Sequence, residues 1–112
     1  MLTDFDTLKE IANTSLNSGI CAVTARILPF YRRKVIATVI YAGAGTGLRR
    51  HEAGADINYV VSGTGRAVCD GAEEILSPGT CHICPVGSGH SIENTGSDDL
   101  VLFTAVCDLK YK

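Results

Sequence analysis

Between Gly79 and Asn94 the chain reads Gly-Thr-Cys-His-Ile-Cys-Pro-Val-Gly-Ser-Gly-His-Ser-Ile-Glu-Asn, a spacing of the form G-x5-P-x-G-x2-H-x3-N. A short apolar run, a Pro-Val-Gly turn and an isolated His fit two strands meeting at a tight corner. A corner of that kind demands an antiparallel sheet. In a β-barrel it sets a single imidazole, His90, at a defined height in the wall.

The remainder of the chain agrees with an all-β reading. Short apolar runs at Ile20 to Leu28, Val35 to Tyr41, Ile57 to Val61, Arg66 to Cys69, Glu73 to Leu76, His82 to Cys84, His90 to Glu93 and Leu100 to Val106 are separated by turn residues. The clearest turn signal is Asp70-Gly71, the pair that a two-residue hairpin favours. Pro29 is expected to end the first run and Ser77-Pro78-Gly79 the fifth. Strands do not alternate with helices, so a parallel α/β sheet is excluded and a sandwich or closed barrel is expected. One helix is predicted over residues 4–13, with Thr3 as its cap, Asp6 at the capping-box position, and Phe5, Leu8, Ile11 and Ala12 on one face. It would pack on the outside of the domain.

Length and composition bound the function classes. With 112 residues, 46% of them hydrophobic, the chain suits a single domain with one core, residues 1–112, whose barrel spans about 20–107. A net charge of −2 provides no field to attract nucleic acid or anionic lipid. Tyr31-Arg32-Arg33-Lys34 reads as a solvated turn. No run approaches the roughly 20 apolar residues that span a bilayer. The acidic start lacks the charged and apolar regions of a secretory signal. Five cysteines, Cys21, Cys69, Cys81, Cys84 and Cys107, are odd in number and irregularly spaced. They read as free thiols of a reducing, cytoplasmic compartment, most of them small core residues. Gly43-Ala-Gly-Thr-Gly47 is not followed by a helical apolar stripe, so it reads as a flexible connection rather than a phosphate loop.

The segment Gly43-x5-Arg49-x-His51-x4-Asp56-x6-Gly63 completes a pair with Gly79–Asn94. Together they resemble the cupin superfamily, whose first motif is G-x5-H-x-H-x3,4-E-x6-G and whose second is G-x5-P-x-G-x2-H-x3-N. The second motif matches at every fixed position, and the first keeps its glycines, its second His and its spacing. The resemblance covers residues 35–106. It implies a jelly-roll β-barrel, commonly a homodimer, with a pocket at one mouth. It also implies a divalent transition metal (Fe, Zn, Mn, Ni or Co) held by motif ligands that fall here on Arg49, His51, Asp56 and His90. Arg49 stands where the family has a His and cannot ligate a cation, because it stays protonated and has no free lone pair. Asp56 is one methylene shorter than the family's Glu. The ligand set carried over is therefore His51, Asp56 and His90, two imidazoles and a carboxylate with coordination positions left open. Arg49 at its position either pairs with Asp56 or clamps an anionic group of a small-molecule ligand.

Strand parity extends the set. If Asp56 faces the barrel interior, so do Asn58 and Val60, which makes Asn58 a candidate for ligand contact. His82 and Cys84 share one face of their strand, and Cys81 and Ile83 share the other. His82 is accordingly a candidate to support the ligands from behind or to serve as the missing ligand. The sulfurs of Cys81-His-Ile-Cys84 diverge, which speaks against a zinc or redox pair. Three functions remain open: a metal-dependent dioxygenase, isomerase or lyase; a binding module without chemistry; and a metal-free epimerase-type enzyme in which a His works with Tyr41 or Tyr59.

Overall fold

The β-branched and small apolar residues that alternate along the chain form ten short strands in a computed structural model, which describes residues 2–13, 23–50 and 54–108. They are β1 (Ile11–Asn13), β2 (Val23–Phe30), β3 (Arg33–Ile40), β4 (Arg49–Arg50), β5 (Gly54–Ser62), β6 (Gly65–Cys69), β7 (Ala72–Leu76), β8 (Cys81–Cys84), β9 (Gly89–Asn94) and β10 (Leu100–Asp108). A six-stranded antiparallel sheet in the order β1-β2-β3-β10-β5-β8 faces a four-stranded one in the order β4-β9-β6-β7. This is the jelly-roll arrangement that the two motifs imply.

Turn chemistry sets the register. Asp70 (φ 49°) and Gly71 (φ 84°) both take left-handed backbone between β6 and β7, the requirement of a type I′ hairpin. The corner between β8 and β9 closes through Ser88 N–H donating to the Pro85 carbonyl at 3.1 Å, with Gly87 at φ 87°. Gly63 ends the first motif for a steric reason as well as a conformational one. Its φ is 87°, and a Cβ there would sit 2.3 Å from the Asp99 carbonyl oxygen.

Inward side chains line up in rows across the larger sheet. One row is Cys84, Asp56, Val106 and Lys34; the next is His82, Asn58, Thr104, Ile36 and Ile27. Ile40, Val60, Ala67, Leu76, Ile92, Leu100 and Leu102 are buried between the sheets and form the core. They fill the end where Ile40 pairs with Leu100. Toward the Asp56–Val106–Lys34 row the two layers leave a cavity of about 320 Å³.

Four expectations change. Helical character at the N-terminus is a single 3-10 turn, Phe5–Thr7, and the last three residues of the expected 4–13 helix are strand β1. A ten-residue helix has little stability of its own. Here Phe5 instead packs edge-on against Phe103 on the outer face (centroids 5.5 Å apart), and Ile11 pairs with Ala25. Arg26 holds the segment in place, donating to the Leu8 carbonyl at 2.6 Å. Strand β2 runs through Pro29 to Phe30, which is allowed because β1 pairs with β2 only along Val23–Ala25 and leaves that stretch as an open edge. The Gly43–Gly47 connection is pinned to β9: Asn94 N–H donates to the Ala44 carbonyl and Thr46 N–H to the Ile92 carbonyl, both at 2.9 Å. Finally, Cys84 is the only fully buried thiol among the described residues; Cys69 and Cys107 are half-buried and Cys81 is exposed.

Candidate functional site

Parity within β5 turns Asp56, Asn58 and Val60 inward, and all three are buried. Across the barrel, the Pro85–Gly87 corner turns His90 on β9 toward them. His90 Nε2 lies 3.2 Å from Asp56 Oδ2, with both side chains almost wholly enclosed. Asn58 accepts a hydrogen bond from Thr104 Oγ at 2.8 Å through its Oδ1. Its amide nitrogen reaches the His82 carbonyl at 3.4 Å. Arg49 stands beside His90 in the β4–β9 pairing and lines the cavity from an exposed position. His51, the remaining motif imidazole, lies outside the described residues. Among the described residues no group of three His, Cys, Asp or Glu side chains is arranged to hold a metal ion.

Behind His90 the structure builds something the sequence only hinted at. His82 is 2% exposed, and its Nε2 lies 3.0 Å from His90 Nδ1. Its Nδ1 lies 2.6 Å from Glu74 Oε1. Glu74 sits on β7, the edge of the smaller sheet, and His82 on β8, the edge of the larger one. Glu74, His82, His90 and Asp56 therefore form a chain that crosses between the sheets at every step, from the surface to the cavity. No sequence signal picks out Glu74. It lies in a strand of exposed residues and acquires meaning only where two sheet edges meet.

Hydrogen-bond direction along this chain is constrained. The Glu74 carboxylate is an acceptor, so His82 Nδ1 carries the proton. In a neutral His82 the other nitrogen is then a bare acceptor, and His90 Nδ1 must donate to it. His90 Nε2 then points to an Asp56 carboxylate oxygen at 3.2 Å. The spacing suits a metal. Two ligand atoms about 2.1 Å from one first-row ion and at right angles to each other are about 3 Å apart.

The cavity has two characters. Asp56, His90, Asn58, Thr104 and Arg49 occupy one part of its wall, whereas Ile11, Ile27, Ile36, Leu102 and Val106 occupy another. Lys34 lies on its rim. Cys84, next to Asp56 in the sheet, is no rival ligand: burial first, then the neighbouring Cys69, pushes its thiol up to about 12, so it stays protonated. Cys81 faces outward, as parity requires. Tyr59 also lies on the outer face, paired with Phe103, and neither it nor Tyr41 lines the cavity.

Residues 37–106 match the Cupin domain family. The chain is a cupin. Over 64 residues, which make up 57% of this cupin and 53% of the other protein, it is 33% identical to a protein of Thermotoga maritima named oxalate-binding protein. The match thus spans about half the length of that curated relative. The fold aligns with the crystal structure of a predicted oxalate decarboxylase from Thermotoga maritima at a TM-score of 0.91 and 23% identity, covering 97% of this cupin and 100% of that chain. A sugar phosphate isomerase of Silicibacter pomeroyi aligns with a TM-score of 0.79 and 20% identity, over 96% and 75% of the two chains. At these identities the two structures speak for the cupin fold.

Proposed function

We propose that this cupin holds a divalent first-row metal through His90, Asp56 and His51 and uses the open positions to bind a small organic anion. The observation that carries the reading is the buried approach of His90 Nε2 to Asp56 Oδ2 at 3.2 Å, with the other ring nitrogen of His90 engaged from behind by His82. Metal-ligating imidazoles are commonly oriented in this way by an acceptor on the far side of the ring. When bound, the metal supplies Lewis acidity and orients the ligand. The protein's own residues do the rest. Arg49, which replaces a ligand, adds positive charge at the mouth, and Lys34 adds a second positive charge on the rim. Asn58, fixed by Thr104, presents a preorganised polar wall.

The apolar part of the wall refines the ligand class. Ile27, Ile36 and Val106 line the cavity and are only half-buried, so they keep apolar surface in contact with its contents. A carboxylate bearing a short aliphatic portion would cover them, at roughly 25 cal/mol per Å² buried. The relative's name, oxalate-binding protein, supports an anionic carboxylate; the apolar wall of this cavity favours a larger acid than oxalate.

A second copy of the chain is the partner proposed for the outer face of the larger sheet. Tyr59, Val61, Ile83 and Phe103 are exposed there, and a self-complementary sheet face is a common basis for a two-fold dimer.

The test is elemental analysis of natively purified protein beside His90→Ala. Near-stoichiometric metal in the wild type and loss of most of it in the variant is the expected result. A metal-free wild type that also fails to take up added Zn²⁺ or Mn²⁺ would sink the proposal.

A further inference from the structure

Resting on the reading of the cavity as a site for a small organic anion, we infer that its ligand is an aliphatic dicarboxylate and that Lys34 selects for the second carboxylate. Among the described residues, the charged groups on the cavity wall are His90 and Asp56, which face each other at 3.2 Å, and the two cations Arg49 and Lys34. The cations stand on opposite walls. Arg49 is on β4 of the smaller sheet, level with His90, whereas Lys34 is on β3 of the larger one, in the row of Val106 and Asp56. Parity shows that Lys34 belongs to the cavity: Lys34, Ile36 and Thr38 alternate along β3, and all three line it. Arg33 and Val35 take the other face of the strand. Neither Arg49 nor Lys34 is ion-paired among the described residues.

The spacing suits a ligand charged at both ends. Neighbouring strands lie about 4.8 Å apart, so Lys34 and Asp56, separated only by β10, stand about 10 Å apart at the backbone. The ammonium on its four-carbon stem closes part of that distance, which leaves a spacer of about two to four methylene groups. What lies under the spacer is apolar: Val106 sits between Lys34 and Asp56 in their row, and Ile36 and Ile27 sit in the next. A spacer bearing hydroxyl or amino groups would set them against this surface without partners. One carboxylate is taken at the His90 end, beside Arg49. Asp56 repels the other from that end, and Lys34 receives it in a charge-assisted hydrogen bond. A monocarboxylate covers the same apolar wall but brings nothing to Lys34.

Calorimetric titration of natively purified protein tests this, at neutral pH and about 0.15 M salt, where long-range attraction is screened. Succinate, glutarate and adipate are each compared with the monocarboxylate of the same carbon count: butyrate, pentanoate and hexanoate. The proteins are wild type, Lys34→Met and Arg33→Met. Methionine keeps an apolar stem and removes the charge. Arg33, on the other face of the same strand, loses a charge without facing the cavity. In wild type the best dicarboxylate should bind about tenfold more tightly than its monocarboxylate, the size of one hydrogen bond to a charged group. Lys34→Met should abolish that preference and leave monocarboxylate affinity unchanged, and Arg33→Met should retain the preference. Equal affinity of wild type for the two kinds of acid overturns the inference and leaves the organic-anion reading standing. A preference that survives Lys34→Met, or that falls as far in Arg33→Met, does the same. Binding of none of the six acids overturns both.

Discussion

The two sheets of the barrel share a core and differ in almost everything else. The outer face of the four-stranded sheet carries its own charge pairs: Arg66 on β6 reaches Glu93 on β9 at 2.7 Å and Glu73 on β7 at 3.5 Å. The hydrogen bond and charge of Glu93, then the charge of Glu73, hold the Arg66 guanidinium above its usual range. The six-stranded sheet presents Phe103, Tyr59, Val61 and Ile83 instead, covered in part by Phe5 from the N-terminal turn. Inside, the larger sheet supplies the carboxylate, Asn58, Thr104 and the apolar wall, and the smaller one supplies His90 and Arg49. The smaller sheet meets water largely with charge pairs. On the function proposed above, the larger one is covered on both sides, by ligand within and by a second copy without.

Removing what the sheets share should cost most. Leu100, fully buried in β10, is held near Gly65 of the opposing sheet. Leu100→Ala should lower unfolding free energy by about 2–5 kcal/mol, measured by urea denaturation. Next comes the outer apolar face. Phe103→Glu should halve the mass seen by sedimentation equilibrium, whereas Ile75→Glu, exposed on the smaller sheet, should not; equal masses in both variants would erase the contrast. The smallest effect belongs to the charged face. Arg66→Ala should change stability by only about 0–1 kcal/mol, because exposed pairs are screened by water and salt, and a loss several times larger would mean that this face carries more of the fold than its exposure suggests.

Sequence reasoning reached the strands and one half of the site because both follow a period of two. Once Asp56 faced inward, Asn58 and Val60 had to, and His82 parted from Cys81 in the same way. It failed where the deciding contact joins distant strands. Phe5, Leu8 and Ile11 have helical spacing, but Phe5 finds Phe103 and Ile11 finds β2, and these tertiary partners override a weak local preference. Glu74 was illegible for the same reason: its partner belongs to another sheet. Cys69 and Cys107 looked like core residues by type, yet type says nothing of the strand position that leaves them half-covered.

Asn94 closes the second motif, and its side chain makes three hydrogen bonds: to the Ile40 carbonyl at 2.8 Å, to the Asp98 carbonyl at 2.7 Å, and from Gly96 N–H at 2.9 Å. Two of these are local and form as soon as the turn does. The third joins residues separated by 54 positions and waits until β3 and β9 have been brought together. The entropy of closing that long loop is lost before the bond is gained. Asn94 thus works on two clocks, shaping its own turn early and fastening the barrel late. If that late contact forms after the folding barrier, it governs how long the assembled pocket survives rather than how fast it is made.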